Sequence, residues 1–175
     1  MVNFFSNSPI KTKKAGEILG KEVSKIKRKK EALVLGLVGD LGGGKTTFLQ
    51  GFARGLGIKE KILSPTFVVI KRFKIENQGT QRNLCARPST EALNDLSARC
   101  SDLRFKNFYH IDCYRIQKPK EILNLGFKEI ISNPQNIVAI EWADRIQKIL
   151  PKDTLILKFK FAGAKKREIS CDFAL

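Results

Sequence analysis

The chain has 175 residues, 42% of them hydrophobic, enough for one domain with a packed core and too few for a second globular unit. No stretch approaches the roughly 20 apolar residues of a membrane span, and residues 1–9 carry Phe4 and Phe5 without a signal-type apolar region, so a soluble, cytoplasmic protein is expected. Lys and Arg number 33 against 17 acidic residues, and the net charge of +16 favours a polyanionic partner; four cysteines with no C-x-x-C pair argue against a disulfide framework.

A first helix is placed from Thr12, taken as its N-cap, with Ala15, Ile18, Leu19, Val23 and Ile26 as its apolar stripe. It runs into Lys25-Ile26-Lys27-Arg28-Lys29-Lys30, a run that suits a solvated helix end and a nucleic-acid contact equally well. Leu33-Val34-Leu35-Gly36-Leu37-Val38 reads as a buried strand, and Gly39-Asp40-Leu41-Gly42-Gly43-Gly44-Lys45-Thr46 completes a G-x-x-x-x-G-K-[ST] loop directly after it. Phe48, Leu49, Phe52, Ala53 and Leu56 then recur at helical spacing, with Gly57 as the stop.

Strand, loop and helix in that order suit a phosphate site. Backbone N–H groups from Asp40 through Leu41, Gly42, Gly43, Gly44, Lys45, Thr46 and Thr47 would curl around phosphate oxygens at a helix N-terminus. Lys45 would reach the β/γ-phosphates and Thr46 would offer its hydroxyl to Mg²⁺. The chain is therefore read as a nucleoside triphosphate binder.

Ser64-Pro65-Thr66 breaks the chain before Phe67-Val68-Val69-Ile70-Lys71-Arg72-Phe73, a second strand; Thr66 stands either in a γ-phosphate-sensing switch or in a plain strand-initiating turn. Between Ile75 and Phe105 lysine disappears in favour of Arg82, Arg87, Arg99 and Arg104, and a long inserted loop is expected over 77–103, leaning to disorder, with room for a short helix at 89–98. Residues 105–112 form a third strand, running into His110-Ile111-Asp112-Cys113-Tyr114-Arg115. Pro119 opens a helix with Ile122, Leu123, Leu125 and Phe127 on its apolar side. Ile137-Val138-Ala139-Ile140-Glu141 is a short buried strand closed by a carboxylate, and Trp142 reads as packing first and partner contact second. Residues 154–161 and 168–173 are two strands whose link is too short for a parallel crossover, hence a hairpin.

Glu141 is the acidic partner the loop needs, at the carboxyl edge of the sheet, where it and Thr46 would serve Mg²⁺. Asp112 ends its own strand and either helps to place water or metal or caps the next turn. Cys100, His110 and Cys113 match no standard zinc spacing and are taken as ordinary thiols and a strand histidine. The fold class is α/β: a three-layer P-loop NTPase domain over residues 1–175, with a mixed β-sheet, helices on both faces and an antiparallel C-terminal hairpin.

Four motifs in one order carry a further inference: G-D-L-G-G-G-K-T-T from Gly39 to Thr47, S-P-T-F from Ser64 to Phe67, H-x-D-x-Y-R from His110 to Arg115, and Glu141-Trp142. Together they resemble the bacterial TsaE family, formerly YjeE, over most of the chain. The resemblance implies a Mg²⁺-dependent ATPase, weak alone, in the machinery that makes threonylcarbamoyladenosine in tRNA. It also implies docking on the TsaD and TsaB proteins, tRNA engaged indirectly through that complex, and no membrane. Lys45, Asp112 and Glu141 would be its catalytic residues. Arg167 matches a basic position near the nucleotide in the family's terminal hairpin, and Thr12 a threonine of its first helix, near the adenine. Two departures stand out: Gly43 replaces the commoner alanine, and the segment at 77–103 is longer than the family's usual connection. A small-molecule P-loop kinase and a nucleotide-gated binding module without essential turnover remain the alternatives. No Asn-Lys-x-Asp guanine-reading motif is present, which favours ATP over GTP.

Overall fold

The computed structural model describes residues 2–26, 30–63, 69–76, 105–163 and 166–172. In chain order the elements are β1 (Val2–Ser6), α1 (Pro9–Val23), β2 (Leu33–Gly39), α2 (Lys45–Gly55), β3 (Ile70–Lys74), β4 (Asn107–Asp112), α3 (Pro119–Leu123), α4 (Phe127–Ser132) and β5 (Asn136–Glu141). A 3₁₀ helix (Ala143–Ile149) and the strands β6 (Leu155–Phe161) and β7 (Arg167–Asp172) complete them. The whole Ser64–Phe67 motif, Thr66 included, and the segment at 77–103 fall outside the described residues, as do residues 27–29 of the 25–30 basic run.

All seven strands join one sheet in the order β1-β7-β6-β2-β5-β4-β3. β6, β2, β5 and β4 are parallel, while β3, β7 and β1 pair antiparallel with their neighbours. The sheet is thus mixed and β6–β7 is the terminal antiparallel hairpin. Parallel strands need cover on both faces, which explains the unbroken apolar runs of β2 and β5; every residue of β5 is buried. Alternation sends Leu35, Leu37, Ala139, Leu157 and Phe159 into a core beneath α1 and α2, with Phe48, Leu49 and Phe52 from the helix side. Val34, Ile111, Val138 and Ile140 face the opposite core, under α3, α4 and the 3₁₀ helix. Full burial of a side chain of the Leu, Ile or Phe size stabilises by about 1.5–3 kcal/mol.

The contact between α1 and α2 is made by backbone. A Cβ at Gly16 would stand 2.1 Å from the Phe48 carbonyl oxygen, and one at Gly51 would stand 1.9 Å from that of Lys13; Gly20 and Gly55 repeat the relation one turn on. Only glycine permits this approach. It draws the start of α1 down onto the phosphate-type loop, so that the Thr12 methyl lies 3.6 Å from where a Gly44 Cβ would be.

Several sequence expectations are corrected here. The N-cap of α1 is Ser8, whose hydroxyl accepts from the Lys11 amide at 3.2 Å, with Pro9 in the first turn; Thr12 lies inside the helix and is buried. Ile18 and Ile26 are half exposed, because α1 contacts its neighbour through glycines instead of the full apolar stripe. The helix expected from Pro119 through Phe127 is two helices. Gly126, at φ 79, separates them, and Leu125 is exposed. Residues 2–6 form a strand, β1, that pairs with β7 from Val2 opposite Cys171 to Ser6 opposite Arg167. Pro119 opens α3, and Glu121 accepts from the Lys118 amide at 2.7 Å to close that helix's first turn.

Candidate functional site

The site lies where β2, β4 and β5 end. The loop after β2 passes into α2 through Gly44, at φ 99, a left-handed position that favours glycine. Lys45, the first residue of α2, is buried; its ammonium donates to the Gly39 carbonyl at 2.6 Å and the Asp40 carbonyl at 2.8 Å. Burial pushes its pKa below the usual 10.5, against the opposing pull of Glu141, Asp112, Asp144 and Asp40. Asp40 takes part through its backbone, which also accepts from the Gly43 amide at 3.1 Å, and Leu41 projects into solvent.

One residue on, the Thr46 hydroxyl meets both oxygens of Glu141, at 3.0 and 2.9 Å. Glu141 is buried at the end of β5 and its Oε1 also lies 2.9 Å from His110 Nε2. Parallel register sets Asp112 opposite Glu141, and Asp112 Oδ1 accepts from the Tyr114 amide at 3.0 Å. Asp112 therefore both caps the following turn and stands beside Glu141. Trp142 follows in the left-handed region, at φ 59 and ψ 44, a conformation that costs a non-glycine residue on the order of 1–3 kcal/mol. That turn lays the indole against the Lys45 ammonium, 4.0 Å from the ring centroid. Tyr114 packs on Trp142 with centroids 5.1 Å apart, and the Arg145 guanidinium lies 5.7 Å from the Tyr114 ring.

On the other side of the loop a cleft of about 250 Å³ opens between Asn7, Ser8 and Thr12, the loop residues Gly42, Gly44 and Thr47, and Arg167. The Thr12 hydroxyl is engaged inward, 2.8 Å from Ser6 Oγ and 3.3 Å from the Ser8 carbonyl. Arg167 sits over the Phe161 ring at 4.4 Å.

The structure thus gathers Lys45, Thr46, Asp112 and Glu141 at one mouth, and Gly42, Gly44, Thr47, Thr12 and Arg167 around the adjoining cleft. Sequence reasoning passed over His110, treated as a plain strand histidine, and the Asn7-Ser8 wall. The Ser8-Pro9 capping pair was the available signal for the second. Trp142, read as packing first, meets the lysine directly. Cys113 is buried: burial, then Asp112 and Asp144, push its thiol up to about 12, with Arg145 opposing.

A hydroxyl and a carboxylate face to face are hard oxygen donors and fit Mg²⁺, which commonly takes one or two protein oxygens and fills its shell with phosphate and water. Among the described residues no group of three His, Cys, Asp or Glu converges as a metal cage. Nor is any helix there long and apolar enough to cross a membrane.

Sheet order, flanking layers and glycine-rich loop together define an α/β domain of the P-loop NTPase type. A model of the family described as "Threonylcarbamoyl adenosine biosynthesis protein TsaE" matches residues 6–85 and 97–169. The chain belongs to the TsaE family, proteins of tRNA threonylcarbamoyladenosine biosynthesis. It is similar to the tRNA threonylcarbamoyladenosine biosynthesis protein TsaE of Bacillus subtilis, 36% identical over 137 residues, or 78% of this chain and 67% of the relative. The protein of the same name from Borreliella burgdorferi is 35% identical over 129 residues, 73% of each chain. The crystal structure of Bacillus subtilis YdiB matches with a TM-score of 0.64 at 28% identity, covering 97% of this chain and 83% of that one.

Proposed function

We propose that this protein is a Mg²⁺-dependent cytoplasmic ATPase that supports threonylcarbamoyladenosine formation in tRNA through a TsaB–TsaD complex, with low turnover alone. The observation that carries the reading is the Thr46–Glu141 pair at the mouth of the loop, beside a buried Lys45.

Lys45 is desolvated and held by two carbonyls, so an arriving phosphate exchanges weak dipoles for a full anion in a low-dielectric setting, where the attraction is large. Amides of residues 40–47 take the remaining phosphate oxygens. Thr46 and Glu141 would hold Mg²⁺, which supplies charge neutralisation across the phosphates. Glu141 is engaged by Thr46 and His110, which favours Asp112, its register partner, as the carboxylate that orients water. The cleft beside Thr12 and Arg167 takes the nucleoside; the Thr12 methyl shapes its wall, since the hydroxyl is turned inward.

The test is phosphate release from Mg-ATP by the protein alone and with TsaB, TsaD and tRNA, with Glu141→Ala as control. Release that rises with the partners and vanishes in the variant supports the reading. Turnover indifferent to the partners would redirect it to a small-molecule kinase. A hydrolysis-dead Glu141→Ala that still sustains tRNA modification would make the protein a nucleotide-gated binding module.

A further inference from the structure

We propose that His110 is a positioning residue for Glu141: its ring holds the carboxylate facing Thr46 and so sets the affinity for the divalent cation. The proposal rests on the reading of Glu141 as a Mg²⁺ residue given above.

Register creates the contact. His110 on β4 lies opposite Ala139 on β5, and Asp112 lies opposite Glu141 two residues further along, so all four side chains share one face. Ala139 offers only a methyl, and the imidazole reaches diagonally past it to Glu141, with Nε2 2.9 Å from Oε1. Thr46 closes on the same carboxylate from α2. Glu141 is thereby clamped between a strand and a helix, and both ring and carboxylate are buried.

The ring's second nitrogen supplies an independent observation. His110 Nδ1 is the single buried side-chain nitrogen or oxygen among the described residues without a hydrogen-bond partner. Paired with the carboxylate through Nε2, the ring has only Nδ1 left for a second partner, and none reaches it. A buried orphan of this kind calls for a reason. The same face of β4 carries Phe108, and β2, on the far side of β5, carries Leu37 opposite Glu141, so an apolar residue at 110 would suit the core and leave nothing unpaired. The imidazole is explained by what Nε2 does for Glu141.

The experiment uses the intact chain and a fluorescent ADP analogue, mant-ADP, titrated with and without Mg²⁺ for wild type, His110→Gln, His110→Asn and Glu141→Ala, all below their own unfolding temperatures. The glutamine amide reaches about as far as Nε2, whereas the asparagine amide stops short. His110→Asn is expected to raise the Mg²⁺ concentration for half-maximal effect about tenfold to a hundredfold, with Mg²⁺-free nucleotide binding unchanged. His110→Gln should stay near wild type. Asparagine and glutamine variants that both match wild type, or that are equally impaired, would overturn the proposal. The Glu141→Ala control separates the two layers. If it leaves Mg²⁺ dependence intact, the metal reading itself fails; if it shifts that dependence while His110→Asn does not, the role of His110 alone is lost.

Discussion

Two buried polar clusters sit at opposite ends of β4 and β5, and they are built differently. At the starting end Asn107 donates to Asn136 at 2.9 Å, Arg72 donates to Asn107 at 3.1 and 2.8 Å, and Asn136 donates to the Ile130 carbonyl at 2.9 Å. That chain is closed within the protein, and it ties β3, β4, β5 and α4 together. At the finishing end a buried ammonium leans on backbone carbonyls, a histidine nitrogen has no partner, and Trp142 occupies a strained left-handed turn. A satisfied polar network stabilises a fold, whereas an incompletely satisfied one costs stability and calls for a reason, which the proposed nucleotide site supplies here.

The largest effect that would sharpen this contrast is at Lys45. Lys45→Met should cut ATP turnover on the order of 10²–10³-fold, while urea unfolding shows a stability change within about 1 kcal/mol. The reverse profile is expected at the other end. Asn136→Leu strands the Asn107 amide and should cost about 1–3 kcal/mol of stability with ATP affinity unchanged by calorimetry. Gly51→Ala spans both properties, because its new methyl would strike the Lys13 carbonyl. Overpacking there should cost about 1–3 kcal/mol, and lifting α1 should move Thr12 and weaken nucleotide binding.

The smallest effect is a pH dependence. Burial lowers the folded-state pKa of Lys45, so between that value and 10.5 the unfolded chain binds more protons than the folded one, and stability rises with pH through that window. Unfolding curves collected just below pH 10.5 should show a shallower rise in Lys45→Met than in wild type; identical slopes would break the assignment of a desolvated ammonium to this end.

The loop, its flanking strand and helix, and the carboxylate closing β5 were legible because each is a local pattern of residue type and spacing. β1 was not. Its pairing with β7 joins residues at opposite ends of the chain, and five residues give too short a period to register. The face of α1 was misjudged for a different reason: hydrophobic periodicity counts side chains, while Gly16 and Gly20 make their contact with backbone. His110 escaped notice because its meeting with Glu141 depends on the parallel register of β4 and β5, which no local pattern encodes. Asp112 was visible as a strand-ending acid with two readings; the structure shows it capping the next turn, and sets it opposite Glu141 in the register.

The finishing end of the sheet is proposed to bind Mg-nucleotide through Thr46 and Glu141. The most direct measurement is a calorimetric titration of ATP, with and without Mg²⁺, into wild type, Glu141→Ala and Asn136→Leu. Mg²⁺-strengthened binding that is lost in Glu141→Ala and kept in Asn136→Leu is the predicted result. Binding to wild type that ignores both Mg²⁺ and the Glu141 substitution would contradict it.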